Sequence, residues 1–308
     1  MSSPCYRTQI SQDLIDQHDR FSTSSNRCIQ FEIQAALIAD ENKFEYRSLE
    51  LIQLVHTVER FVDSESPEEY LYFYGISDRE YELIDNVLRQ VALRSTVRFT
   101  FENALNAAIL HIRPGLEHNM IACNFVSKLE KKLDSIPGNE HSVSGFGAAL
   151  FRTTGVRSKE GDQCLRPRTR KGRHAWPSVM IEAGYSKGKD FLSLDAEWWL
   201  INSDGSTRFV IIIIIERDPW ALRIECWKMI ETGRRETRQT PARMPRCVQD
   251  FNINEAGAVV SPMESPELSI PYECIFDKCD SDSPPPPPVT LSFLELSKFA
   301  LFMFEQLE

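Results

Sequence analysis

The run Phe209-Val210-Ile211-Ile212-Ile213-Ile214-Ile215 constrains the fold more than any other stretch of this chain. It is far shorter than the roughly 20 apolar residues that span a bilayer. Short and β-branched, it predicts a strand buried on both faces of a sheet.

The segments around that strand follow an order. Leu222-Arg223-Ile224-Glu225-Cys226 alternates and, after Asp218-Pro219, predicts its hairpin partner. Upstream, Asp190 opens a helix carrying Phe191, Leu194, Trp198 and Ile201, with Leu192 and Trp199 widening the apolar stripe, until Asn202-Ser203-Asp204-Gly205 turns the chain. Before it, Pro177 to Ala183 predicts a short apolar strand ending in a carboxylate, Glu182. Two strands, at about 144–152 and 158–165, come earlier still. A helix stripe of Met120, Ile121, Phe125, Val126, Leu129 and Leu133, closed by Pro137-Gly138, precedes them. The order is helix, three strands, helix, two strands.

On the N-terminal side, Ile29-Gln30-Phe31-Glu32-Ile33 alternates and predicts a short strand. Leu49, Ile52, Val55, Val58, Phe61 and Val62, then Tyr81, Ile84, Val87, Leu88 and Val91, recur at helical spacing. A further helix is expected from Phe101 to His111, ending before Pro114-Gly115. Beyond Arg246 the chain is rich in Pro and Ser, and Pro284 to Pro288 reads as a stiff spacer. Ser292-Phe293-Leu294-Glu295 has capping-box spacing and starts a final helix to about Gln306. The predicted organisation is a mostly helical extension over 1–114, a core over 115–232, a basic then Pro/Ser-rich irregular segment over 233–288, and a helix over 289–308 packing on the core. The fold class is α/β (α+β).

With 42% hydrophobic and 26% charged residues, the 308-residue chain has globular composition. Its opening residues lack the apolar core of a signal peptide, so an intracellular protein, nuclear or cytoplasmic and without a membrane segment, is expected. The 8 cysteines then read as thiols; Cys274 and Cys279 have no second pair to complete a zinc site. A net charge of −10 argues against a surface that tracks phosphates throughout. Local clusters run the other way: Arg166, Arg168, Arg170, Lys171 and Arg173, and more loosely Arg234, Arg235, Arg238, Arg243 and Arg246. They read either as nucleic-acid contacts or as solvated loops.

The carboxylate of Glu182, ending an apolar strand, must be paired, hydrogen-bonded or bound to a cation. Strand pairing would bring Asp162 beside it. Two such carboxylates suit Mg²⁺, which can activate a water for attack on phosphorus; pairing with nearby arginines would satisfy them equally well.

The blocks Gly161-Asp162-Gln163-Cys164-Leu165-Arg166-Pro167, Trp176 to Ser186, and Leu194-Asp195-Ala196-Glu197-Trp198-Trp199-Leu200 together resemble a family of uncharacterised fungal proteins identified with the PD-(D/E)XK, restriction-endonuclease-like superfamily. The similarity covers about Glu117 to Ile230. It implies a mixed central sheet flanked by helices, Asp162 and Glu182 as Mg²⁺ ligands, and Glu117 as a third carboxylate. The chain departs from the pattern at one position, where Gly184 stands in place of the Lys that would polarise the scissile phosphate. Lys187 and Lys189 are the candidates to replace it. Two other motifs fail: Gly184-Tyr185-Ser186-Lys187-Gly188 imitates a nucleophile elbow, but no His follows the Ser, and it imitates a phosphate loop with wrong spacing.

Two functions are therefore expected from different classes. One is Mg²⁺-dependent phosphodiester hydrolysis on nucleic acid, with the arginines of 166 to 173 on phosphates. The other is a catalytically silent module that binds a protein partner through its C-terminal segment, or binds nucleic acid.

Overall fold

The computed structural model describes residues 29–45, 51–62, 69–91, 97–112, 117–136, 142–147, 150–152, 157–172, 175–235, 241–277 and 287–307. Arg173, Arg238, Cys279, Pro114-Gly115, Pro137-Gly138 and Pro284 to Pro286 lie outside them. The chain divides into two compact units, one of residues 1–114 and 153–159, the other of 115–152 and 160–308.

The first unit begins with helix α1 (Ile29–Leu37), where a strand was expected. The alternating Phe31 and Ile33 are buried, but so are Gln30, Gln34 and Ile38, and that set has helical spacing. Strand β1 (Lys43–Glu45), α2 (Leu51–Val62), β2 (Glu69–Tyr74), α3 (Asp78–Gln90), β3 (Val97–Glu102) and β4 (Ala107–Ile112) follow. The two amphipathic stripes are thus helices, apart from Leu49, which lies outside the described residues, and the capping box of Ser77 and Glu80 starts α3. The expected helix over 101–111 is instead a hairpin, with Asn106 in the left-handed region at φ +48° between β3 and β4. All of β4 is buried, so it shows no alternation to betray a strand. The extension is therefore α/β rather than mostly helical. Its sheet runs β1-β2-β4-β3 and then β7 (Arg157–Glu160), a strand that comes from much later in the chain. Leu54 and Val58 of α2 and Tyr81, Ile84 and Leu88 of α3 pack on one face of it.

The second unit is the mixed α/β fold that the sequence predicts. Helix α4 (Glu117–Asp134) leads into β5 (Val143–Phe146), β6 (Leu150–Arg152) and, after β7, β8 (Gln163–Pro167) and β9 (Val179–Tyr185). Then come α5 (Lys189–Asn202), β10 (Phe209–Arg217), β11 (Trp220–Arg235) and β12 (Pro241–Ile253). Closing the chain are β13 (Val259–Val260), β14 (Glu267–Ile270), α6 (Tyr272–Ile275), β15 (Val289–Ser292) and α7 (Phe293–Leu307). A seven-stranded sheet has the order β13-β12-β11-β10-β9-β8-β5. Strands β9 and β10 are parallel and the other neighbours antiparallel.

Both faces of β9 and β10 are buried, as the isoleucine run requires. Val179, Ile181, Ile211 and Ile213 point to the face covered by α4 and α7; Met180, Val210, Ile212 and Ile214 point to α5, where Trp198, Trp199 and Phe151 pack. The segment expected to be irregular over 233–288 contains the long strand β12. Its Pro241 and Pro245 hid it, yet among the described residues β13 pairs only with Asn252 and Ile253, and both prolines lie away from that ladder. Helix α7 starts with the predicted capping box: Glu295 N–H donates to Ser292 Oγ and Ser292 N–H to Glu295 Oε2. It buries Leu296, Phe299, Ala300, Met303 and Phe304 in the main core. No helix among the described residues is long and apolar enough to cross a membrane.

Candidate functional site

Asp162 and Glu182 do come together, and the ladder explains why. Gln163 pairs with Ile181, so the residue before β8 falls opposite Glu182 on β9. The two residues hold one another reciprocally. Asp162 N–H donates to Glu182 Oε2 at 3.2 Å, and Ala183 N–H donates to Asp162 Oδ2 at 2.9 Å. The second oxygen of Glu182 accepts the Trp199 indole N–H from α5 at 2.6 Å. Each of the two acids is only 1% exposed. Gly161 fits closely here: a Cβ would lie 2.1 Å from Met180 Cε, 3.0 Å from Trp199 Cζ2 and 3.3 Å from Glu182 Oε1.

A hydrated Mg²⁺ does not fit this arrangement. The ion keeps several waters in a near-octahedral shell. At 1% exposure neither carboxylate opens onto the space such a shell needs, and three of their four oxygens already accept N–H donors. Among the described residues, no group of three or more His, Cys, Asp or Glu side chains is placed to hold a metal.

Glu117, the proposed third carboxylate, is engaged elsewhere. It begins α4, on the opposite side of the sheet from Trp199, where it accepts from the Arg217 guanidinium. Arg217 also donates to the Tyr185 hydroxyl at 2.8 Å and lies over that ring. Burial pushes Glu117 up, but hydrogen bonds from its own backbone N–H and Tyr185, with the charge of Arg217, hold its pKa below the ordinary carboxylate value. Burial and then the charge of Glu117 push the Tyr185 phenol up. A helix start, a strand end and the end of β10 are tied together here, without contributing to the acid pair. Lys187 lies exposed on the turn of Ser186–Gly188, and Lys189 is the half-buried first residue of α5.

The basic loop is also partly used by the fold. Arg170 forks onto Asp277 at 2.6 Å and donates to the carbonyls of Trp176 and Ser206. Those bonds, followed by the positive charge of Arg208, hold Asp277 below its usual pKa. Arg166 donates to the Gly172 and Ala175 carbonyls and stacks on Phe146. Arg166 thus closes the loop on itself, whereas Arg170 ties it to Asp277 and Ser206. Arg168 and Lys171 remain on the exposed side. In the looser cluster, Arg243 pairs with Glu231 at 3.5 Å.

Sequence reasoning missed Trp199 as the partner of Glu182, because a Trp on an apolar stripe reads as core alone. It also missed Arg223, which holds Asp250 and Glu225 together on β11 and β12. Only the ladder register, Glu225 opposite Asp250, would have disclosed that network. Compared with known proteins, this chain matches no family model, and comparison with curated proteins and solved structures likewise finds no match.

Proposed function

We propose that this chain is a nuclease-fold binding module in which Asp162 and Glu182 lock the strand junction, and that it acts through its surface rather than by cutting phosphodiesters. The observation that carries this reading is the reciprocal bonding of the pair at 1% exposure, sealed by Trp199. Gly184, in place of the lysine that the nuclease pattern expects, supports it.

The test is incubation of purified protein with single-stranded and duplex DNA and RNA plus Mg²⁺ or Mn²⁺, beside Asp162→Ala and Glu182→Ala. The expected result is no cutting above the variants, together with a lower melting temperature for both, because each removes an acceptor from a buried donor. Metal-dependent cutting that disappears in both folded variants would overturn the proposal in favour of a hydrolase.

A further inference from the structure

The outward side of α7 is unusual for a helix that is anchored so deeply. Its inner residues fill the core, yet Leu294, Leu301 and Phe302 are 62%, 41% and 49% exposed. These positions, one and two turns apart, lie on one side of the helix with Lys298 among them and Glu305 a turn further on. Their span is about 12 Å at the helical rise.

Lysines gather along the flank of this stripe. Phe125 of α4 meets Phe299 of α7 edge-on at 5.2 Å, which sets the two helices side by side. Lys132 then reaches Glu295 at 2.8 Å. Burial depresses the Lys128 ammonium; the charge of Glu295 opposes this, and the like charges of Lys132, Lys131 and Lys298 add to it. Four ammonium groups thus share one neighbourhood on a chain whose net charge is −10.

We infer that the α4–α7 face is a docking surface for an acidic peptide segment bearing apolar side chains. Lys128, Lys131 and Lys298 would meet its carboxylates, and Leu294, Leu301 and Phe302 its apolar residues. Charge complementarity selects the acidic partner, and the apolar stripe selects a peptide over a phosphate backbone, which makes no use of leucine or phenylalanine. An extended anionic membrane or duplex would face the acidic whole molecule, whereas a short peptide answers mainly to charges within the screening length of about 8 Å. The inference rests on the binding-module reading and gives that reading its partner.

The experiment is fluorescence anisotropy of the full chain with a labelled peptide of alternating glutamate and leucine, with polyglutamate and a lysine–leucine peptide as controls. The variants are Lys131→Glu with Lys298→Glu, and separately Leu294→Ser with Phe302→Ser; all four residues are exposed or partly so, and circular dichroism checks folding. Binding of the glutamate–leucine peptide, weakened roughly tenfold or more by each pair of substitutions and by added salt, supports the inference. Absence of binding, or equal binding by the variants, overturns it. So does equal binding of polyglutamate, or tighter binding of duplex DNA or phosphatidylserine vesicles through the same lysines. The cleavage assay reports separately on the module reading, so the two failures are distinguishable.

Discussion

The bond from Trp199 to Glu182 shows how much a single donor can decide. Trp199→Phe keeps most of the ring volume but leaves a buried carboxylate oxygen without its indole N–H. A loss of about 1–3 kcal/mol is expected, read as a lower urea midpoint at unchanged slope. Adding Glu182→Gln should recover part of that loss, since a neutral amide is cheaper to leave with fewer donors; strict additivity would show that the bond carries no such weight. Glu295 supports a different residue-scale prediction. The Lys132 ammonium, followed by the Ser292 backbone and hydroxyl bonds, outweighs burial and draws its carboxyl down from 4.5 to about 2. A carboxyl depressed in the folded state contributes stability that is present above its unfolded pKa and disappears as pH falls through the folded one. Wild type should therefore lose stability between about pH 4.5 and 2 more steeply than Glu295→Gln. Parallel acid-unfolding curves for the two proteins would count against the capping and ion-pair account.

Elements differed in how openly the sequence announced them. Amphipathic helices with one solvent face, such as α3 and α4, and the capping box of α7 were legible because helical spacing and cap chemistry are local. The isoleucine run was legible as a two-faced strand for the same reason. Helix α1 and the β3–β4 hairpin were not, since Gln30 and Gln34 become buried only through tertiary packing and Ala107 to Ile112 carries no polar face. Strand β12 was obscured by its prolines, which lie away from the ladder with β13. At the site, adjacency of Asp162 and Glu182 was readable from strand order, whereas the closure of the pair by Trp199 required knowing which side of α5 faces β9. The break between β7 and β8 supports an element-scale prediction. Gly161→Ala should cost about 1–3 kcal/mol through overpacking against Met180 and Trp199, measured by chemical denaturation. In a Met180→Ala background, which has its own cavity cost, Gly161→Ala should add much less if the clash, rather than backbone freedom, is the cause.

For the molecule as a whole, α7 both builds the core and carries the inferred docking surface. Truncation before Val289 removes five buried side chains from the main core along with β15. Each of the four larger ones, Leu296, Phe299, Met303 and Phe304, is worth about 1.5–3 kcal/mol, and a domain holds only about 5–15 kcal/mol in reserve. The truncated chain should aggregate or fail to melt cooperatively, so loss of a partner on deletion would say nothing about docking; surface substitutions on the intact chain are the informative route. The excursion of residues 153–159 has a consequence of another kind. As the chain leaves the ribosome, the first unit has made β3 but not the strand that covers its outer edge, and that strand emerges only after residues 115–152 of the second unit. Until β7 arrives, the nascent chain carries an open strand edge, so the pace of synthesis across this interval sets how long a newborn molecule is exposed to mispairing with its neighbours on the same message.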